Sequence, residues 1–155
     1  MPYLHRWPKA GQNEYTPLPQ SDLARWRDMI TLQVYEGATT PDKLADIANT
    51  VLVSYQKAGL IIRTNSLPAT PGHPAQHMIV AVLADKGLRE MVFARFRMTP
   101  EGGEAIVYSH RIHALKPDEE ASAWLKANDL AIEKAMMTWS DIPSVPALRT
   151  LPQAP

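Results

Sequence analysis

The chain has 155 residues, a length typical of one domain whose core is large enough to need no disulfide or metal. Its 16 lysines and arginines balance its 16 aspartates and glutamates. It therefore lacks the overall positive field that dominates non-specific nucleic-acid binding, and we expect no nucleic-acid partner. The absence of cysteine excludes disulfides, thiol nucleophiles and cysteine-ligated zinc. No apolar stretch approaches the roughly 20 residues that cross a bilayer, so we expect a soluble protein without a membrane span.

Prolines divide the chain into a central region and two arms. Of its 14 prolines, several interrupt any regular element before residue 21, and others follow residue 140. We therefore expect an irregular N-terminal arm over 1–20, a single α+β domain over 21–139 and a proline-rich C-terminal arm over 140–155.

In the first half of the central region, the sequence predicts a helix, a strand and a second helix. A serine N-cap predicts a short helix over 21–28. Apolar and polar residues then alternate over 29–35, which is typical of a strand with one buried face. The clearest element begins after the N-cap Thr40, with Pro41 at the first helical position, and ends before Gly59. Its apolar residues recur at three- and four-residue steps, so this helix packs on a sheet.

The second half predicts strands and a final helix. A strand begins directly after Gly59, and the nearly continuous apolar run over 77–84 is typical of a central strand covered on both faces. Tight turns over 85–87 and 99–104 join that run to two further strands, which gives three consecutive antiparallel strands. A second main helix begins at Pro117. The order predicts an antiparallel-rich sheet of about five strands packed by two main helices, as an α/β/α sandwich.

This order of elements resembles the Mog1/PsbP/DcrB type of small domain. The resemblance is carried by "LARWRDMITL" before the first main helix and by "VLADKGLREMVFARFRM" and "GGEAIVYSHRIH" after it. It covers most of 21–139, and it implies a small binding or assembly-accessory protein without chemistry of its own, often exported in bacteria. The sequence is also similar to uncharacterised exported bacterial proteins. We therefore expect a periplasmic or secreted bacterial protein, with the cytoplasm as the alternative.

The stretch "YSHRIHA" (108–114) places histidine and arginine side chains on a predicted strand. Tyr108 and His110 point to one face of the sheet, whereas Ser109 and Arg111 point to the other. Because His110 joins an apolar face, we expect a histidine that makes a core hydrogen bond, with an acid–base or ligand role as the alternative. Ser109 cannot pair with His110 as an activated nucleophile.

Three arginines form a candidate anion site. Arg95 and Arg97 share one face of a strand, and Arg111 lies on the neighbouring strand. If strand pairing gathers them in one patch, they are able to bind a small anion such as a carboxylate or phosphate. The alternative is a solvated arginine face paired with nearby glutamates.

Histidines in a loop give a weaker candidate metal site. His73 and His77 have the spacing that chelates zinc on a helix, but Pro74 places His73 in a loop and the accompanying glutamate of zinc proteases is missing. A metal site there needs a further ligand, from His110 or a carboxylate. No glycine-rich phosphate loop is present, so we predict no cofactor.

Two functions of different class remain open. The first is a non-enzymatic binding or assembly-accessory module, which contacts another protein, a second copy of itself, or a small ligand in a groove between sheet and helix. Trp7 and Trp26 are its candidate partner contacts, although we favour a role for them as lids over the core edge. The alternative is a small enzyme or metal-binding protein centred on His110, which uses Tyr108, Arg111 or His77 with it to bind a ligand in a concave site. A small neutral domain is also compatible with a toxin-neutralising immunity protein. Such proteins often show a strongly charged face, however, and this sequence shows no sign of one.

Overall fold

The computed structural model describes residues 3–9 and 12–151. In chain order, the elements are β1 (Tyr3–Lys9), β2 (Gln12–Pro17), β3 (Asp28–Tyr35), α1 (Pro41–Ala58), β4 (Gly59–Leu67), β5 (Gln76–Asp85), β6 (Leu88–Thr99), β7 (Gly102–His113), α2 (Pro117–Thr138) and α3 (Val145–Arg149). Among the described residues, no helix combines the length and apolar character that crossing a bilayer requires.

The strands of the described residues join one antiparallel sheet of seven strands, in the order β1-β2-β3-β7-β6-β5-β4. The predicted α+β class and antiparallel sheet are confirmed, but the predicted strand number of about five was too low. The missing strands are β1 and β2, which lie in the supposedly irregular N-terminal arm. Pro8 does not disrupt the sheet because β1 is an edge strand, where a residue without an N–H group is tolerated.

Helix α1 covers one face of the sheet. Its N-cap is Thr40, whose hydroxyl accepts a hydrogen bond from the Lys43 amide, and Pro41 occupies the first turn as the sequence predicts. The buried Leu44 packs into a cluster with residues of β5, β6 and β7, including Phe96. The chain then turns directly into β4 at Gly59, where an added Cβ would collide with the main chain of β5.

Helix α2 covers the opposite face, which completes the sandwich of helix, sheet and helix. Its buried Ala121, Leu125 and Met136 pack with Phe93 of β6 and Ile106 of β7. The first turn of α2 carries Pro117 and three acidic side chains, which suit the positive end of the helix dipole.

The predicted short helix over 21–28 was wrong. Residues 21–27 form turns instead of a helix, because the side-chain oxygen of Gln20 accepts hydrogen bonds from the amides of Arg27 and Asp28, both at 2.8 Å. The C-terminal arm contains α3, which Ser144 caps through the Ala147 amide. A proline in the first turn is compatible with this helix. The last four residues of that arm lie outside the described residues.

Candidate functional site

A hydrogen-bonded side-chain network lies across the boundary between β3 and β7. Register places Asp28 opposite His110 and Ile30 opposite Tyr108. Directly paired residues of an antiparallel sheet share a face, so these side chains gather on the α2 side. The pairing confirms that Tyr108 and His110 point to the same face.

Asp28 is the centre of this network. Its Oδ1 accepts a hydrogen bond from the Tyr108 hydroxyl at 2.8 Å and lies 2.7 Å from Nδ1 of His110. Its Oδ2 accepts a hydrogen bond from the side-chain Nε2 of Gln20 at 3.1 Å. Burial alone would raise the pKa of Asp28, but the hydrogen bonds from His110, Gln20 and Tyr108 lower it to about 2. Asp28 is therefore a carboxylate at neutral pH and holds the imidazole and the phenol in place.

The surroundings of His110 fix its ring and its tautomer. The imidazole stacks on the Trp124 indole, with ring centroids 4.5 Å apart and planes 5° from parallel. Because the Asp28 carboxylate only accepts hydrogen bonds, we assign the proton to Nδ1 of His110. The side chain is 18% exposed, and in the neutral ring Nε2 carries the lone pair. This is the carboxylate–imidazole arrangement that orients a general base.

An apolar groove adjoins the network between the sheet and the C-terminal half of α2. Its volume is about 480 Å³, within the range of roughly 300–1,000 Å³ that is usual for small-molecule sites. Apolar atoms dominate its walls, which are formed by Ile30, Tyr108, Ile132, Ala135, Met136, Thr138 and Trp139. Burial, followed by the bond to Asp28, raises the pKa of Tyr108, so its phenol stays protonated and fixed as one wall of this groove.

Arg95 and Arg97 lie on the α2 side of the sheet, and both are engaged within the protein. Arg95 is 6% exposed, and its Nη1 donates to the main-chain carbonyls of Met136 at 2.9 Å and Trp139 at 2.8 Å. It therefore caps the C-terminus of α2. Arg97 donates to the buried carboxylate of Glu104 at 2.9 Å.

Arg111 lies on the other side of the sheet, so the three guanidinium groups do not form the single patch that the sequence suggested. Its Nε donates to Glu90 at 2.8 Å, and its guanidinium carbon lies 3.9 Å from the centre of the Trp26 ring. Trp26 is 5% exposed. It is thus buried beneath Arg111, which leaves no exposed indole for a partner. Trp7 belongs to β1, but its side chain lies outside the described residues.

The candidate metal-binding histidines occupy separate local structures. His73 lies in a loop, where its main chain pairs with Thr70. His77 lies on β5, and its Nδ1 is 2.8 Å from the hydroxyl of Ser66. Within residues 3–9 and 12–151, no group of three or more histidine, cysteine, aspartate or glutamate side chains is arranged to hold a metal ion.

Sequence reasoning missed Asp28, Gln20 and Trp124 as members of the site. Asp28 lay at the end of a predicted helix, although its position directly before an alternating apolar run also suits the first residue of a strand. Its partner His110 is 82 residues away along the chain. Only the pairing of β3 with β7 brings them together, and no local signal specifies that register.

Comparison with known proteins adds support for the fold alone. No protein-family model matches the chain, and no curated protein matches it. Among solved structures, it is similar to a Pseudomonas aeruginosa protein of unknown function that has been suggested as a regulator. The TM-score is 0.51 and the identity 18%, over 89% of this chain and 88% of that one. At that identity, the similarity concerns the arrangement of helices and strands.

Proposed function

We propose that the protein is a non-enzymatic binding module whose apolar groove takes the hydrocarbon or aromatic part of a small ligand. The observation that carries this proposal is the groove itself, with about 480 Å³ of open volume and walls that expose almost only apolar surface. Apolar surface left open to water in a concave site gains free energy when an apolar group covers it.

The position of the groove supports a preformed site. Tyr108 on one wall is fixed by Asp28, and the end of α2 on the other wall is fixed by the hydrogen bonds from Arg95 to Met136 and Trp139. A site whose walls are already ordered loses little conformational entropy on binding. The hydroxyls of Tyr108 and Thr138 offer the few polar contacts that would orient a ligand.

The test is direct binding of apolar probes to the purified protein. We expect saturable binding of 1-anilinonaphthalene-8-sulfonate, displaced by medium-chain fatty acids. Ala135→Phe fills the groove from an exposed position and should weaken binding about tenfold, the equivalent of about 1.4 kcal/mol of lost contact. The matched control, Ala127→Phe, changes an exposed position of α2 outside the groove lining. Equal binding by the two variants, or no binding by the wild type, would overturn the proposal.

The second candidate function is a small histidine-based hydrolase. The observation that favours it is the 2.7 Å contact between His110 Nδ1 and Asp28, which orients Nε2 as a base able to activate water. It ranks second because the only hydrogen bond that the His110 imidazole makes within the described chain is the one that it donates to Asp28, and no nucleophilic side chain joins it. Hydrolysis of nitrophenyl esters that is lost in both His110→Asn and Asp28→Asn would promote this function. Equal rates in wild type and both variants would exclude it.

We further propose that the domain is of the Mog1/PsbP/DcrB type and is an exported bacterial protein. The supporting observations are the sandwich of one helix on each side of an antiparallel sheet and the similarity to a bacterial structure at a TM-score of 0.51. Fractionation of the native host, with the chain traced by antibody, tests the export. Recovery in the cytoplasmic fraction alone would contradict it.

A further inference from the structure

A second concave site lies on the face of the sheet that carries α1. Helix α1 packs over β4, β5 and β6, and a cleft remains between it and strands β3 and β7. We call it the polar cleft and define it by Thr31, Tyr35, Tyr55, Glu90 and Ser109. Its volume is about 250 Å³, just below the roughly 300–1,000 Å³ of sites for drug-sized molecules. A single small ring fits a cleft of this size.

Four hydroxyl groups lining the polar cleft make no hydrogen bond within the part of the chain that the structure describes. They belong to Thr31, Tyr35, Tyr55 and Ser109. Burial raises the pKa of both tyrosines, with Glu90 the next cause for Tyr55. Both phenols therefore stay protonated at neutral pH, and each of the four groups is able to donate and to accept. Half-buried polar groups that lack protein partners are suited to bonding a ligand.

The charge of the polar cleft is balanced within the protein. Glu90 is its one carboxylate, and the guanidinium of Arg111 neutralises it through a 2.8 Å hydrogen bond. The Arg111 group is itself held over Trp26. A balanced ion pair gives neither an anion nor a cation an electrostatic advantage, because an incoming charge would have to displace the existing partner.

The remaining walls favour a ring that has both hydroxyl groups and C–H faces. Tyr35 and Tyr55 supply flat amphipathic rings, while Val51 and Val107 supply apolar surface. A sugar ring carries donors and acceptors around its rim and apolar C–H groups on its faces. It matches unpartnered hydroxyls beside tyrosine rings better than a purely apolar molecule does.

We propose that the polar cleft binds a neutral saccharide or polyol. This site is separate from the apolar groove, because residues that alternate along β3 and β7 point to opposite faces: Thr31 and Ser109 to the cleft, Ile30 and Tyr108 to the groove. The proposal does not depend on an occupant of that groove.

The test is titration of the isotope-labelled protein with glucose, galactose and myo-inositol, followed by amide NMR shifts. Choline and inorganic phosphate serve as charged comparisons. We expect saturable shifts centred on β3, β7 and α1 for at least one neutral compound. Loss of one hydroxyl in Tyr55→Phe or Ser109→Ala should weaken that binding about fivefold, the usual effect of one lost hydrogen bond.

Matched controls separate the cleft from the rest of the surface. Tyr15→Phe removes a phenol from the other face, Ser54→Ala removes an exposed hydroxyl of α1, and Ala135→Phe fills the apolar groove. All three should bind the neutral compound as the wild type does. The proposal is overturned if no neutral compound shifts the cleft residues, if choline or phosphate binds there instead, or if Tyr55→Phe and Ser109→Ala leave the affinity unchanged.

Discussion

Arg95 connects β6 to the end of α2, and its removal should be among the most destabilising single changes in the chain. The last turn of α2 contains no basic residue of its own, so its carbonyl groups and the negative end of its dipole depend on Arg95. The guanidinium donates to the carbonyls of Met136 and Trp139 and, at 2.8 Å, to the side chain of Gln76. Arg95→Met keeps the aliphatic stem and removes all of these donors.

The magnitude follows from those hydrogen bonds. Each bond from a charged donor contributes about 1.5 kcal/mol or more, and the orphaned carbonyls lose solvation as well. Part of this loss is offset, because the variant no longer buries a positive charge that Arg97 also repels. Both effects are visible in the pKa of Arg95, which burial lowers first and Arg97 second. We expect the free energy of unfolding to fall by about 3 kcal/mol, or the melting temperature by about 10 °C.

Urea unfolding followed by circular dichroism measures this loss. Arg95→Lys should be intermediate, because one ammonium group cannot reproduce the planar fork of donors. The matched control is Arg25→Met, since the side chain of Arg25 is 88% exposed and lies 4.0 Å from Asp22; it should change nothing measurable. A loss below about 1 kcal/mol in Arg95→Met would refute the capping role derived from the structure.

Three further predictions concern charge and packing. The folded-state pKa of Asp28 is about 2, below its ordinary value, so the stability that Asp28 contributes is present above pH 3.8 and is lost as pH falls toward 2. In urea titrations over this range, the free energy of unfolding of the wild type should fall by about 2 kcal/mol more than that of Asp28→Asn. An equal pH dependence of the two proteins would contradict the network. Burial raises the pKa of Glu104 against the opposing effect of Arg97, so the stability that its protonated form contributes is present at low pH and is lost as pH rises. The free energy of unfolding of the wild type should therefore rise relative to that of Glu104→Gln as pH falls from 7 to 4. A fall of the wild type relative to the variant over this range would show that Arg97 dominates. Trp26→Ala should cost about 3–5 kcal/mol in the same assay, because it empties a buried site beneath Arg111; Leu115→Ala, at a fully exposed position, is its control.

Local signals explain which parts of the fold could be predicted from sequence. Thr40, Pro41 and Gly59 lie next to the helix that they delimit, so α1 was predicted with its correct start and end. The prolines in β1 and β2, by contrast, led to the prediction of an irregular arm where the structure has strands. Pro8 lies on the edge strand β1, and Pro17 is the last residue of β2, beyond those that pair with β3, so the sheet tolerates both missing donors; this is a tertiary effect.

Site geometry depended on register, which the sequence does not specify. Arg95 is opposite Ile106, so the face of β6 that holds Arg95 and Arg97 continues into Ile106, Tyr108 and His110 on β7. A shift of one residue would have placed Arg111 on the same face as Arg95 and Arg97 instead. The predicted anion patch therefore depended on the register of β6 with β7, and the meeting of Asp28 with His110 depended separately on the register of β3 with β7.

The strand order also has a consequence for folding. Strands β1 to β3 form one run of neighbours and β4 to β7 another, and only the pairing of β3 with β7 joins the two runs within the sheet. This pairing closes a long loop through α1, so it should form late. The apolar groove, the Asp28 network and the polar cleft all draw residues from both sides of that junction. A ligand bound in either cavity would therefore hold the same two strands together, and amide exchange along β3 and β7 should slow on occupation of either one.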